Sequence, residues 1–426
     1  MPKLFSSILF VLFALQPVLS FGKVIEHDSY CLDAESASLR QTTILVDGST
    51  MSLESNGALG STYWRSQIRR FIDASADEAG VYMAPGERVS IGMIMPNGSG
   101  VNVTFSGCMP ILPKSVIAEN EQKETKLSWF LGGGWEREYE EGQKEFLEAA
   151  VKSLALLMKD NGPVDEVEKI TFVDSKAAAS LANYRGINRH QGVPRVIIVT
   201  DLSLYEFPTG DADAVSSTAK SDALVNGTDL GYSEVHLLTE KLPSSNHVKQ
   251  YLEAYFLQAK STLSTFVSGT GALNTPEPPV QVRQFVGEVV FEAENDAAKL
   301  PMMFRLALDK NGRLINSWMK ETQGKDRYLP VYGDLQCPGN GRLCTYYGDN
   351  IFAQIWNKHK NVSIADGDAG CPNDNGRLPF MGFRNLNFSI DEERLEGIIS
   401  DKTCFNAGDN DGVIRFNLTE VEHGQL

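Results

Sequence analysis

A chain of 426 residues with 42% hydrophobic content has material for two or three folded domains. Its net charge of −16 repels a phosphate backbone or an anionic membrane surface. Nucleic-acid and lipid-surface binding are therefore set aside, and cationic partners or metal ions fit better.

Met1 to Ser20 begins with Lys3, continues through the apolar run Leu4 to Leu15 and ends on small residues suited to cleavage after Ser20. That is the form of a secretory signal peptide, too short in its apolar part to span a bilayer. No later segment is apolar enough to cross, so the mature chain is expected to be secreted or periplasmic with no membrane span. In such an oxidising compartment the six cysteines are expected to pair. The expected bridges are Cys31–Cys108, Cys337–Cys344 and Cys371–Cys404, although spacing does not fix connectivity. A zinc site from the last four lacks a CxxC pair.

Residues 21–40 read as a polar, irregular N-terminal extension pinned by Cys31. Thr42 to Val46 is then a β-branched and apolar run, the pattern of a strand buried on both faces of a parallel sheet, and it ends at Asp47. Ser61 to Glu78 has the apolar spacing of a helix. Arg88 to Met95 and Val101 to Phe105 flank a Pro-Asn-Gly turn as a hairpin. Gly132 to Gly134 reads as a flexible connection before a helix over Glu140 to Lys159, whose inward positions are Phe146, Ala149, Ala150, Leu154 and Leu157. Ser175 to Tyr184 reads as a short helix. A second buried strand, Val196 to Val199, leads into Asp201. Phe207 to Gly231 has little apolar content and reads as a long surface loop. Glu234 to Thr239 is a strand, and His247 to Val267 a final helix. This order fits one sheet between helices.

Residues 269–283 form a Pro-rich linker, and 284–426 lose helical periodicity. Gln284 to Glu292, Met303 to Leu308, Arg313 to Met319, Ile351 to Trp356, Leu386 to Ile390 and Val413 to Val421 read as strands. Asn311-Gly312 is a hairpin signal. Short strands with turn-rich joins lead to the expectation of a sandwich-like β domain.

Asp47-Gly48-Ser49 after a buried strand, with Asp201 after another, resembles a von Willebrand factor A domain over residues 41–268. The resemblance implies a Rossmann-like α/β fold, a mostly parallel sheet with helices on both faces. It also implies a metal-ion-dependent adhesion site holding Mg²⁺ or another divalent cation through Asp47, Ser49, Asp201 and a hydroxyl, for which Ser175 is the candidate. Hard cations take such oxygen ligands, and a carboxylate from a partner protein would complete the shell. Met51 stands where the family carries a second serine, and a thioether suits a hard ion poorly.

Other motifs are bland. Asp409, Asp411 and Gly412 lack the later glutamate of a calcium loop, as do Asp366 and Asp368. Six glycosylation sequons occur, at Asn97, Asn102, Asn226, Asn361, Asn387 and Asn417. The six histidines show no ligand spacing, His236 reads as a packed strand residue, and no GxSxG elbow is present. The leading expectation is a non-enzymatic adhesion-type module that binds another protein at the carboxyl edge of its sheet. A structural subunit of an envelope or surface assembly with a vestigial metal site is the alternative, and an extracellular hydrolase the third reading.

Overall fold

The computed structural model describes residues 24–31, 38–48, 83–95, 100–112, 114–124, 134–159, 170–171, 192–202, 205–226, 230–239, 242, 245–268, 278–293, 296–323, 328–331, 334–336, 344–347, 386–391, 394–400 and 413–421. The expected helices at 61–78 and 175–184 and the strand at 351–356 lie outside these residues.

Seven strands build the first sheet: β1 (Ile25–His27), β2 (Arg40–Asp47), β3 (Arg88–Ile94), β4 (Val101–Cys108), β6 (Val193–Val199), β8 (Glu234–Thr239) and β9 (Thr262–Ser268), in the spatial order β1-β4-β3-β2-β6-β8-β9. A small parallel pair, β5 (Ile170–Thr171) and β7 (Tyr205–Glu206), stands beside it. β2 lies between β3 and β6, parallel to both, and only the β3–β4 hairpin pairs antiparallel.

Every residue of β2, β6 and β8 is buried because both faces of these strands are covered. Ile44, Val46, Ile197, Val199 and Leu238 pack with Phe146 and Ala150 of helix α2 (Trp135–Lys159). Leu45, Val196, Ile198, Val235 and Leu237 face helices α3 (Ala212–Asn226) and α4 (Asn246–Gln258). A continuous apolar run is what two covered faces demand.

Three expectations need correction. Ile25 to His27 is not irregular extension but an edge strand parallel to β4, and helix α1 (Lys114–Lys123) precedes the glycine-rich segment. The expected loop at 207–231 contains α3. Its apolar content is low, but Val215, Ala219 and Ala223 recur every fourth residue and are buried, and such small residues let α3 lie close against α4. Asp211 Oδ1 accepts the Ala214 N–H at its start. The expected helix 247–267 is shorter: α4 ends near Ala259, Lys260 turns with φ 58°, and the β-branched run that follows is β9.

Among the described residues the C-terminal part forms one sheet rather than two stacked layers. Its nine strands are β10 (Gln281–Ala293), β11 (Asp296–Leu308), β12 (Ser317–Glu321), β13 (Tyr328–Val331), β14 (Asp334–Gln336), β15 (Cys344–Tyr347), β16 (Leu386–Asp391), β17 (Arg394–Ser400) and β18 (Val413–Val421). All pairs are antiparallel, in the order β13-β12-β11-β10-β18-β17-β16-β15-β14. The edge strands β13 and β14 are therefore consecutive in the chain. From Val331 to Asp334 the chain reaches at most about 11 Å, whereas nine strands laid flat would be roughly 38 Å wide. The sheet must roll until its edges meet. Alternating directions around the order make β13 and β14 run the same way. The result is an up-and-down barrel closed by its first and last strands, β10 and β18.

Register separates its two faces. Phe285, Val289, Met302, Phe304, Leu306, Met319 and Leu418 share the inner face and are buried. Gly287 is required there, since a Cβ would drive into the Asn417 carbonyl and come within 2.8 Å of Leu418 Cα. Glu288 and Lys299 are paired and more than half exposed on the outer face. The outer face is mixed, and there Met303 and Trp318 are buried beside Tyr232 of the α/β domain. Among the described residues no helix is long and apolar enough to cross a membrane. The Asn-Gly turn forms as read, with Gly312 at φ 82° and the Asp309 N–H donating to the Arg313 carbonyl.

Candidate functional site

β3 and β6 leave β2 in opposite directions across the sheet, so the carboxyl ends of β2 and β6 bound a crevice at the topological switch point. Val46 pairs with Val199, so Asp47 and the Thr200-Asp201 pair emerge side by side. The sequence expectation that the two aspartates share one edge rests on this pairing. Asp47 is only 1% exposed. Its Oδ2 accepts the Thr200 hydroxyl at 2.7 Å and the Tyr205 hydroxyl in a short bond. Two neutral donors on one oxygen stabilise the buried carboxylate. Asp201 is partly buried beside it. Ser49 and Ser175 lie outside the described residues, as do Met51, Asp409 and Asp411. Thr200 and Tyr205 escaped the sequence reading. Thr200 sits directly before Asp201, the one signal that could have drawn attention to it.

The donor set at this edge, carboxylate and hydroxyl oxygen, suits a hard divalent cation in kind. Asp47 and Asp201 would supply charge, and Ser49 and Thr200 hydroxyls. The hydroxyl bonds to Asp47 Oδ2 run against direct ligation through that oxygen.

A second polar cluster lies toward the opposite, amino-terminal edge, with Thr42 about 16 Å and Arg40 about 23 Å from Asp47 along β2 at the usual strand rise. Glu87, fully buried, accepts from Arg40 Nε and Nη2 at 3.2 and 3.1 Å, Arg195 Nη2 at 3.1 Å, the Thr42 hydroxyl and the Ala84 N–H at 2.7 Å. Arg195 Nε also donates to Thr42 at 2.8 Å. Burial opposes ionisation of Glu87, but the Arg40 and Arg195 guanidiniums outweigh it and lower its pKa. On β8, Glu234 lies beside Arg195, and His236 Nε2 is 3.3 Å from its Oε1. Burial raises the Glu234 pKa while His236, Arg195 and Arg40 pull it down more strongly, to about 2. His236 Nδ1 is 2.9 Å from the Thr265 hydroxyl on β9. None of these charged side chains stood out in the sequence, because Arg40, Glu87 and Arg195 are far apart along the chain.

The amino-terminal edge also meets the barrel. Asn316 Nδ2 donates to the Pro194 carbonyl at 3.1 Å, and Arg305 Nη2 to the Tyr232 carbonyl at 3.0 Å. Tyr232, at φ 60°, lays its ring on Trp318 with centroids 4.6 Å apart. Arg305 lies 5.1 Å from the Trp318 ring and Lys320 5.1 Å from the Tyr232 ring. The Arg305 contact, which is buried, contributes about 2 kcal/mol. The barrel thus docks on the edge opposite Asp47.

The Cys31–Cys108 bridge forms, tying β1 to β4. Asp28 lies close to both sulfurs, but these are spent in the disulfide, and Arg88 pairs with Asp28 at 3.2 Å. That triad is no thiolate metal site while oxidised. The other four cysteine side chains lie outside the described residues.

No family model matches the chain, and no curated protein does either. Among solved structures it is similar to proximal thread matrix protein 1 from the mussel byssus, at 13% identity and a TM-score of 0.25, covering 55% of this chain and 44% of that one. The same values hold for a form of that protein described as having a zinc-occupied MIDAS motif. A second crystal form gives 11% identity and a TM-score of 0.24. The chain spans less than half the length of these neighbours, and at such TM-scores the likeness carries no argument about fold or function. What stands on the chain's own geometry is a mostly parallel α/β sheet covered by helices, joined to a separate antiparallel β domain.

Proposed function

We propose that this chain is an exported protein-binding module of the von Willebrand factor A type, which presents the Asp47–Asp201 crevice to another protein. One observation carries the reading: Asp47 and Asp201 follow adjacent parallel strands at the switch point of the sheet, where open α/β sheets take their ligands. The barrel is docked on the far edge and so acts as a base. Mg²⁺ or another divalent cation held by Asp47, Ser49 and Asp201, with Ser175 or Thr200 as a further hydroxyl, would recruit an acidic side chain of the partner. The role is binding rather than catalysis.

The alternative, a structural subunit with a vestigial site, draws support from the two hydroxyls already seated on Asp47 Oδ2. Thermal melts separate the two. The mature chain and Asp47→Asn are melted in EDTA and then in millimolar Mg²⁺, Mn²⁺ or Ca²⁺. A working site raises the wild-type midpoint by mass action and leaves the variant unmoved. No wild-type response at millimolar metal sinks the cation-dependent reading and leaves the structural one.

A further inference from the structure

The crevice makes no use of the buried cluster at the amino-terminal edge, yet that cluster adjoins every polar contact described between the two domains. Arg195 directly follows Pro194, whose carbonyl holds Asn316. Glu234 comes two residues after Tyr232, which holds Arg305, Trp318 and Lys320. His236 stands behind them, fully buried. The groups acting on it among the described residues are Glu234 on its own strand, Arg195 on β6, Arg40 on β2 and the Thr265 hydroxyl on β9, with Glu87 one step further off, paired to Arg195. With His236 neutral, two guanidiniums and two carboxylates balance. A proton on His236 adds an uncompensated positive charge to a site with no water-like medium to absorb it.

We propose that this cluster is an acid-sensitive latch, in which protonation of His236 releases the barrel from the amino-terminal edge of the α/β domain. The charged imidazole competes with Arg195 for Glu234. Relief comes by shifting the entry residues of β6 and β8, and those residues are the ones that grip the barrel. Burial, reinforced by Arg195 and Arg40, lowers the His236 pKa despite the opposing pull of Glu234. The direction follows: the neutral form belongs to the docked state. The docked state is therefore favoured while His236 is neutral and is lost as pH falls through the lowered folded value. This inference does not depend on whether the crevice holds a metal.

The test follows the full chain from pH 7.5 to 4 by small-angle scattering, for domain separation, and by far-UV circular dichroism, for unfolding. The wild type is expected to gain radius of gyration as the pH falls, before the dichroism changes. His236→Gln, which keeps a neutral polar group for Thr265, is expected to stay docked by at least about one further pH unit. Arg305→Ala weakens the grip from the barrel side and is expected to move the wild-type transition to higher pH. The proposal is overturned if expansion coincides with loss of dichroism. It is also overturned if wild type and His236→Gln separate at the same pH. If His236→Gln does not fold, an Arg305→Ala transition at unchanged pH is enough to overturn it.

Discussion

Replacing Glu87 by Gln keeps the shape of a side chain that five donors converge upon, four of them side-chain groups and two of its partners guanidiniums. The amide cannot accept from all of them, and its NH₂ group points a donor at donors. Arg195 and Arg40 both retain the attraction of Glu234, but each loses the carboxylate it touches, in a site where Arg40 is 1% exposed. Breaking one member of a buried ion pair costs about 3–5 kcal/mol. With a urea dependence near the top of the usual range, that cost moves the unfolding midpoint of the α/β domain down by between about 1 and 2 M. Urea titration followed by circular dichroism reads it directly. A shift under about 0.4 M, equivalent to roughly 1 kcal/mol, would refute the reasoning, because the cluster would then be relaxing or hydrated rather than locked. A matched apolar replacement of Arg40, Glu87 and Arg195 together is expected to recover most of the loss, since the ions pay their own desolvation.

Two further outcomes are expected. Reducing the Cys31–Cys108 bridge, which spans a sequence separation of 77, costs about 4 kcal/mol of stability. Melts with and without reductant check this, and a shift equal to that of a Cys31→Ala, Cys108→Ala variant assigns it to this bridge. Gly287→Ala forces β10 away from the Asn417 carbonyl and destabilises the barrel by about 1–3 kcal/mol, whereas Val286→Ala on the outer face opens no such clash. Similar urea midpoints for Gly287→Ala and the wild type would show that the two strands have slack at this point.

What the sequence made legible was set by two-sided burial. Thr42 to Val46 and Val196 to Val199 announce themselves as central strands, and their parallel pairing brings Asp47 and Asp201 together as read. Helix α3 was hidden because alanine carries its stripe, and alanine looks neither apolar enough for a core nor polar enough for a surface. α4 was read too long because Leu263, Phe266 and Val267 continue its apolar content after Lys260 has turned the chain. The barrel was missed because closure depends on which strands are neighbours, and a list of alternating runs does not state that. Arg40, Glu87, Arg195 and Glu234 were invisible for a different reason: charged residues at strand entrances normally meet water, and only the fold shows that these do not.

Closing the barrel through its first and last strands has a practical result. Gln284 pairs with Val421, so the chain enters and leaves this domain at one point on its rim. A fusion attached after Val421 would emerge beside the segment that leads in from the α/β domain. The link between β13 and β14 lies on the other side, three strands from β10 and four from β18, so a partner fused after Val421 would stand away from it.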